Sequence, residues 1–174
     1  MSKVAVITGS NGRIGAASCR RLAQEGYLAV GIDIGAESSG NWPYYPCDIT
    51  NLDRMAETLA RIEAEQGLIR VLFNNAGIYR ASDSFLDVPA AQFDDVLAIN
   101  LRAPYFAAQW VAKRLIAEKQ GGSIIATASL AGQHLEGTAS HNGHTLDWHL
   151  DFEGDAKPLL FLPDNLYAGP FPKA

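Results

Sequence analysis

The sequence has few of the residues that build disulfide frameworks or bind nucleic acids. Its 174 residues include only two cysteines, Cys19 and Cys47, which are too few for a disulfide framework or a cysteine-based zinc site. They indicate ordinary reduced thiols. The 14 basic residues are outnumbered by 19 acidic ones, and the net charge of −5 is opposite to that of a nucleic-acid-binding surface. We therefore do not expect nucleic acid as a partner.

The sequence also lacks long apolar runs. No segment reaches the roughly 18 apolar residues that a membrane span needs. The start, MSKVAVITGSNGR, has too short an apolar run for a secretory signal. We expect no membrane contact and a cytoplasmic location. The hydrophobic fraction of 48% is nevertheless enough for one globular core at this length.

Apolar runs and helical patterns alternate along the first three quarters of the chain. Runs typical of buried strands occur at KVAVIT, LAVGID, VLFNN and SIIATAS, with a short one near YYPCD. Helical patterns lie at IGAASCRRLAQEG, where Gly26 stops the helix, from Asn51 to Glu65 with Thr50 as a candidate cap, and over residues 92–119. This order predicts a doubly wound α/β fold with five parallel strands in the order 3-2-1-4-5.

The composition changes after Gly132. The last 42 residues contain all four histidines, four of the eight prolines and no arginine. We expect the parallel sheet to be truncated after its fifth strand and the C-terminal tail to be irregular, apart from one short strand at PLLFLP. Residues 1–132 are then one nucleotide-binding domain, and residues 133–174 a divergent tail rather than a separate domain.

The turn between the first strand and the first helix is rich in glycine and reads TGSNGRIG over residues 8–15. Glycines let the backbone approach a pyrophosphate, and free N–H groups at the start of a helix bind it. The structural alternative is a tight strand-to-helix turn without a ligand. The candidate cofactor-binding residues of this turn are Gly9, Ser10, Asn11, Gly12, Arg13, Ile14 and Gly15.

Asp33 ends the second predicted strand, 18 residues beyond Gly15. An acid at about this spacing binds the adenosine ribose hydroxyls of NAD. Its charge would repel the additional phosphate of NADP, so we expect NAD as the cofactor, with NADP less favoured. The alternative is an acid that merely ends the strand.

Four further motifs occur in an order and at separations typical of one family. They are CDIT at 47–50, NNAG at 74–77, AIN at 98–100 and ASLAG at 128–132. Together with the glycine turn, they make residues 3–132 similar to the short-chain dehydrogenase/reductase family, which implies a Rossmann-like fold. The turn departs from the compact members because Arg13 replaces their middle glycine. Arg13 is either a phosphate contact or a solvated residue at the helix start.

The resemblance implies positions for five further residues around the cofactor. Asp48 and Ile49 would lie beside the adenine. Asn75, Ala76 and Gly77 would line the cofactor near its ribose.

The resemblance also implies a reaction, hydride transfer between nicotinamide and an alcohol or carbonyl carbon. Ser129 matches the family's catalytic serine, and Asn100 matches an asparagine in a water-linked proton path. Pro104 has no N–H, so a helix that continues through it would leave the Asn100 carbonyl free to bind water. Alternatively, Pro104 marks a helix start.

The family's tyrosine and lysine, in the pattern YxxxK, are missing. They should lie about 13 residues beyond Ser129, where the sequence has Asn142 and Leu146. Neither side chain titrates near neutral pH. His141 is one position away and is a candidate substitute proton donor. The tail histidines fit no metal-ligand spacing, and we expect no metal site.

Three interpretations stay open. The first is an oxidoreductase of this family that uses NAD and an alcohol or carbonyl substrate, with poor turnover. The second is a non-catalytic nucleotide-binding or interaction module, and the third is a truncated or frame-shifted product. A homo-oligomer could form through the long helix around residues 92–119.

Overall fold

A computed structural model gives the fold of the chain. It describes side chains for residues 3–82 and 86–128, and backbone for residue 85 and for residues 134–141, 144–153 and 157–161. The chain divides into two compact units. The first comprises Met1–Tyr79 and Ala91–Thr127, and the second comprises Arg80–Ala90 and Ala128–Ala174.

The first unit is built on a parallel sheet with strands in the order β3-β2-β1-β4-β5. The predicted doubly wound sheet and its strand order are therefore confirmed. Its strands are β1 (Val4–Thr8), β2 (Leu28–Asp33), β3 (Tyr44–Pro46), β4 (Ile69–Asn74) and β5 (Ser123–Ala126). Its helical segments are α1 (Arg13–Gln24), α2 (Leu52–Gln66), α3 (Ala90–Leu97), a π-helical turn (Ala98–Arg102) and α4 (Ala103–Ala117).

The central strand β1 is buried along its whole length, which explains its continuous apolar run. Successive side chains of a strand point to opposite faces of the sheet. Val4 and Val6 accordingly pack in one core with α2 and α4, while Ala5 and Ile7 pack in a second core with Cys19 of α1. The helices therefore cover both faces of the sheet around β1.

The cap of α2 differs from the prediction. The side chain of Asn51 accepts the N–H of Arg54 at 3.1 Å, so Asn51 is the N-cap. Thr50 was expected in this role, but its hydroxyl donates to Asp48 Oδ1 at 2.7 Å. The competing bond to Asp48 explains why the next residue caps the helix.

The long helical pattern over residues 92–119 forms three consecutive helical segments. The π-helical turn separates α3 from α4, and the N–H of Ala103 bonds to the carbonyl of Ala98, five residues earlier. Pro104 lies in the first turn of α4, where a proline is tolerated. It has no N–H to donate to Asn100, so the regular ladder of helical hydrogen bonds cannot pass this point. The helical path nevertheless continues through Pro104.

The edge strand β5 is exposed along its length. Ile124 and Ile125 follow one another in this strand and therefore point to opposite faces of the sheet. Both side chains are exposed, unlike the buried apolar residues of β1.

The second unit contains a short 3₁₀ helix (Phe85–Asp87) and an antiparallel sheet in the order β6-β7-β8. Its strands are β6 (His134–His141), β7 (His144–Glu153) and β8 (Lys157–Phe161). The strand predicted at PLLFLP is confirmed by β8. Pro158 lies there because β8 is an edge strand, where a missing N–H is tolerated.

The prediction of irregular structure after Gly132 was wrong for these three strands. Residues 145–152, TLDWHLDF, alternate polar and apolar types, which is the pattern of a strand. The prediction of irregular structure rested on the histidine and proline content of the tail and did not consider this alternation. That residues 133–174 are not a separate domain stays a prediction.

No helix among the described residues is both long enough and apolar enough to cross a membrane. The cytoplasmic location stays a prediction from the sequence.

Candidate nucleotide-binding site

The carboxyl ends of the parallel strands define the candidate site. β1 ends at Thr8, β2 at Asp33, β4 at Asn74 and β5 at Ala126, and all four ends lie at the same edge of the sheet. In the sheet, β2 and β3 lie on one side of β1, and β4 and β5 lie on the other side, so the strand order reverses between β1 and β4. Open α/β sheets bind ligands at this point of reversal.

The glycine turn contains two positions that only glycine fits. Gly9 has a φ of +67°, and a Cβ there would lie 2.8 Å from the Cα of Ala76. A Cβ on Gly15 would lie 2.8 Å from the carbonyl carbon of Gly9 and would overlap its oxygen. Both glycines are therefore required by the close approach of backbone to backbone, with or without a ligand.

Gly12 is different. It is the N-cap of α1 with ordinary backbone angles, φ −72° and ψ 163°, and a Cβ there would meet only Gly9 O, at 3.3 Å. No side chain caps this end of α1. The N–H groups of the first turn have no partner within an α-helix, and the helix dipole makes this end positive. An anionic group can bind here, beside the exposed Arg13 and Ile14.

Asn75 joins three strands at the point of reversal. Its N–H and that of Ala76 donate to Thr8 Oγ1, at 3.0 and 3.1 Å. Its side-chain Nδ2 donates to the carbonyl of Thr8 at 3.2 Å, and its Oδ1 accepts the hydroxyl of Thr127 at 3.1 Å. The predicted residues Asn75 and Ala76 thus lie against the glycine turn.

The parts played by Thr8 and Thr127 were not found from the sequence. Each is a hydroxyl residue at the end of an apolar run, and this position is the signal that could have indicated them. Thr127 follows β5 directly, and its N–H donates to the carbonyl of Asn74 at 2.9 Å.

Asp33 is fixed by two backbone hydrogen bonds. Its Oδ2 accepts the N–H of Asn11 at 2.8 Å, and its Oδ1 accepts the N–H of Ile34 at 2.8 Å. The carboxylate therefore lies between the glycine turn and the loop that follows β2. The prediction that Asp33 stands at the carboxyl edge, beside the turn, is confirmed by these contacts and by the strand order.

An open cavity of about 490 Å³ lies between the ends of β2 and β3 and the first half of α2. Asp48 lines it, and its Oδ1 accepts the N–H and the hydroxyl of Thr50. The side chain of Ile49 is instead buried in the core. The cavity is lined by Ile34, Pro46, Cys47, Asp48, Arg54, Glu57 and Thr58.

Asn100 lies in the π-helical turn and holds the chain that follows β4. Its Nδ2 donates to the carbonyl of Ile78 at 2.8 Å, and its Oδ1 accepts the N–H of Ile78 at 2.9 Å. A Cβ on Gly77 would lie 3.4 Å from the same Oδ1. The side chain is thus engaged with the backbone, and the role predicted for Asn100 depends on its carbonyl. Asn74 adds a second link, from its Nδ2 to the carbonyl of Pro104 at 3.3 Å.

The catalytic part of the predicted site lies mostly outside the described residues. This holds for Ser129 and Asn142, of whose positions nothing is described. Leu146 lies in β7, where it pairs with Ala139, and His141 ends β6 opposite His144. The position that the resemblance assigns to the lysine is therefore in a strand and not in a helix.

Comparison with known protein families gives a match over most of the chain. The model of the family described as short chain dehydrogenase matches residues 3–141. "Short-chain dehydrogenase reductase 3b" of Arabidopsis thaliana is 32% identical over 156 residues, which cover 84% of this chain and 60% of that protein.

Solved structures show the same similarity. A metagenomic short-chain oxidoreductase in complex with NADP is 33% identical with a TM-score of 0.69, covering 76% of this chain and 65% of that one. An NAD⁺-bound xylitol dehydrogenase is 32% identical with a TM-score of 0.69, covering 75% and 54%. The chain spans between half and three fifths of the length of the curated relatives it matches. Because the family model covers most of its length, the chain belongs to the short-chain dehydrogenase family.

Proposed function

We propose that this chain binds a nicotinamide dinucleotide at the carboxyl edge of its parallel sheet and prefers NAD to NADP. The observation that supports this best is the position of Asp33, whose Oδ2 lies 2.8 Å from the N–H of Asn11 in the glycine turn. One carboxylate thus stands beside an uncapped helix start. This pairing fits a ligand with both an anionic pyrophosphate and neutral ribose hydroxyls.

The geometry of Gly12 fits the pyrophosphate. A methyl group at this position would meet one atom, Gly9 O, at 3.3 Å, whereas one at Gly9 or Gly15 would overlap backbone atoms. A glycine that the fold does not require keeps the backbone open to close approach by a ligand. Arg13 follows it and would add a positive charge at the phosphates.

The remaining predicted residues extend the proposed site to both sides of Asp33 and Gly12. Asp48 would border the adenine from the cavity at the ends of β2 and β3. Asn75, Ala76 and Gly77 would contact the ribose next to the nicotinamide. The solved relatives were crystallised with NADP in one case and NAD⁺ in another, so membership of the family does not decide between the two cofactors.

The preference for NAD follows from charge. A 2′-phosphate beside Asp33 would face a carboxylate at short range, which is unfavourable in a partly desolvated site. Residues 34–42, IGAESSGNW, contain no lysine or arginine that could offset this repulsion. They include one further acid, Glu37, which is exposed.

We predict that Asp33→Ala narrows the preference for NAD. The unaltered chain should bind NAD at least about tenfold more tightly than NADP, the factor expected for one charge repulsion of roughly 1.4 kcal/mol. Isothermal titration with both cofactors measures the two affinities. Glu37→Ala removes a charge from the same neighbourhood without touching the contacts of Asp33, and it should leave the ratio nearly unchanged. Equal binding of both cofactors by the unaltered chain would contradict the assignment.

The bound cofactor would supply the hydride chemistry of an alcohol or carbonyl oxidoreductase. The chain would contribute Ser129, to hold the substrate oxygen, and the carbonyl of Asn100, to hold a water. A non-catalytic nucleotide-binding module is the second candidate. The observation that favours it is the strand β7, which contains residue 146, the position where the family's lysine would lie.

We also propose that the chain associates with a second copy through the long helix. Phe93, Leu97, Leu101 and Tyr105 recur at every fourth residue and are between 39% and 62% exposed. This apolar stripe runs from α3 through the π-helical turn into α4. Contiguous exposed apolar surface of this kind marks an interaction site.

We predict that Leu101→Glu lowers the oligomeric state. A carboxylate in the middle of the stripe would have to be desolvated in the interface, which costs several kcal/mol. Sedimentation velocity over a range of concentrations should show the unaltered chain as a dimer or larger and the variant as a monomer. Ala91→Glu adds the same charge to α3 away from the stripe and should leave the mass unchanged. A monomeric unaltered chain at all concentrations would refute this proposal.

A further inference from the structure

The loop between β2 and β3 is held by two side chains that lie outside it. Asn11 reaches it from the glycine turn, and Tyr44 reaches it from the start of β3. The loop begins directly after Asp33, the residue on which the proposed preference for NAD depends. Any group that fixes this loop therefore also fixes the surroundings of Asp33.

Asn11 binds the loop at two points. Its Nδ2 donates to the carbonyl of Glu37 at 2.9 Å, and its Oδ1 accepts the N–H of Ser39 at 2.9 Å. Its own N–H donates to Asp33. One residue thus connects the carboxylate, the glycine turn and the middle of the loop.

Tyr44 completes the connection. Its hydroxyl donates to the carbonyl of Gly35 and accepts Nδ2 of Asn11 at 3.3 Å. Burial and the negative charge of Asp33 raise the pKa of this hydroxyl, although the hydrogen bond from Asn11 acts in the opposite direction. Tyr44 is therefore protonated at neutral pH and remains a donor to Gly35.

Several polar groups of the held loop are engaged within the protein. The N–H of Ile34 is bonded to Asp33, that of Ser39 to Asn11, and that of Gly40 to Ser38 Oγ at 3.2 Å. Two carbonyl groups of the loop, those of Gly35 and Glu37, are also engaged. Both contacts of Asn11 with the loop would be lost if the loop moved away from Asp33 to make room for a 2′-phosphate.

We propose that Tyr44 is a positioning residue that favours NAD over NADP by holding the loop and Asn11 around Asp33. This inference rests on the proposed function, because it concerns the same binding site. It predicts that the hydroxyl of Tyr44 contributes to cofactor choice without touching the cofactor itself.

The neighbouring residue supplies a matched control. Tyr45 follows Tyr44 in β3 and points to the other face of the sheet, where it is buried. Its hydroxyl also makes two hydrogen bonds, donating to Glu65 Oε2 at 2.6 Å and accepting Gln66 Nε2 at 3.1 Å. Tyr45→Phe therefore removes a hydroxyl group and two hydrogen bonds from the same strand. The bonds that it removes lead to α2, whereas those of Tyr44 lead to the loop and to Asn11.

The test compares the affinities of Tyr44→Phe and Tyr45→Phe for NAD and NADP by isothermal titration. Tyr44→Phe should bind NAD roughly three- to tenfold more weakly, the factor that corresponds to the loss of one neutral hydrogen bond. Its affinity for NADP should be unchanged or higher, so that the preference narrows. Tyr45→Phe should keep the affinities of the unaltered chain for NAD and NADP, even if its thermal stability falls as far as that of Tyr44→Phe.

Introducing Tyr44→Phe into the Asp33→Ala variant gives a second readout. If Tyr44 acts by positioning the surroundings of Asp33, its effect on the NAD-to-NADP ratio should be largely lost in that background. If the role of Tyr44 is purely structural, Tyr44→Phe should lower the affinities for NAD and NADP equally. This loss should then remain in the Asp33→Ala background.

The outcomes separate the two proposals. An unaltered chain that prefers NAD, with Tyr44→Phe indistinguishable from Tyr45→Phe, overturns this inference and leaves the proposed function standing. An unaltered chain that binds neither cofactor overturns both. If Tyr44→Phe does not fold, Asn11→Ala tests the same connection, since it keeps the N–H on Asp33 and removes the side chain that Tyr44 holds. An unchanged preference in that variant likewise overturns the inference.

Discussion

Replacing Gly15 by alanine is expected to destabilise the first unit severely. The added Cβ would lie 2.8 Å from both the carbonyl carbon of Gly9 and the Cα of Ser10, and these are backbone atoms that cannot rotate away. Overpacking typically costs about 1 to 3 kcal/mol, and contacts with fixed backbone atoms put this substitution at the upper end, about 3 kcal/mol. Because a 1 kcal/mol change shifts the melting temperature of a domain of this size by about 2 to 4 °C, a loss of about 10 °C should be seen by circular dichroism.

Gly12→Ala is the matched control for this substitution. It lies in the same turn, but its Cβ would meet only Gly9 O, at 3.3 Å, and its φ of −72° suits alanine. We expect a change of less than about 1 kcal/mol in stability. Cofactor binding should nevertheless weaken, because the methyl group would stand where the pyrophosphate approaches. Equal stability of the two variants would show that the close contact at Gly15 is not rigid.

The second large effect concerns turnover. We expect this chain to oxidise or reduce alcohols and carbonyl compounds very poorly, even with NAD bound. A positioned general acid or base typically contributes roughly 10²- to 10⁴-fold to the rate, or about 3 to 5 kcal/mol of the barrier. Without the tyrosine, no assigned group would deliver the proton as the hydride arrives, and without the lysine the ribose would be held less firmly.

A panel of aldehydes, ketones and secondary alcohols, followed by the absorbance of NADH, measures this activity. A family member that contains YxxxK serves as the positive control for the assay. Turnover of about one per second or faster would contradict the prediction. Loss of such turnover in His141→Ala would then identify His141 as the substitute acid.

Restoring the two missing residues should not restore the activity. In a helix, residues four apart are neighbours at about 6 Å, and the pattern YxxxK depends on this spacing. Residue 146 lies in β7, so a lysine there is on a strand and not on a helical turn. The double variant Asn142→Tyr with Leu146→Lys is therefore expected to stay as inactive as the unaltered chain in the same assay.

The parallel sheet could be predicted from the sequence because its strands are continuous apolar runs between glycines and polar turns. The prediction LAVGID coincides with β2, and Asp33 stands at the edge where it was expected. The order of the strands in the sheet followed from general rules on crossover connections. The strand boundaries and the strand order together were enough to predict that the glycine turn and Asp33 lie at the same edge of the sheet.

The remaining features depend on contacts between residues distant in sequence or on competition between neighbours. Nothing in the sequence near Tyr44 indicates its bond to Asn11, since the two residues are 33 positions apart. Asn51 caps α2 because Asp48 engages Thr50, a choice that propensity alone does not make. The alternating residues of β7 were a detectable signal, and there the composition of the tail was given too much weight.

The hydrogen bonds of Asn75 have a consequence for how the chain folds. They connect residues 67 and 52 positions apart, from Thr8 in β1 to Thr127 after β5. Loop closure over such distances is entropically costly and slow, so we expect these contacts to form late, after the intervening strands have assembled. Cofactor affinity should therefore appear only on the last step of refolding. A ligand at a hundred times its Kd would then stabilise the assembled sheet by about 2.7 kcal/mol.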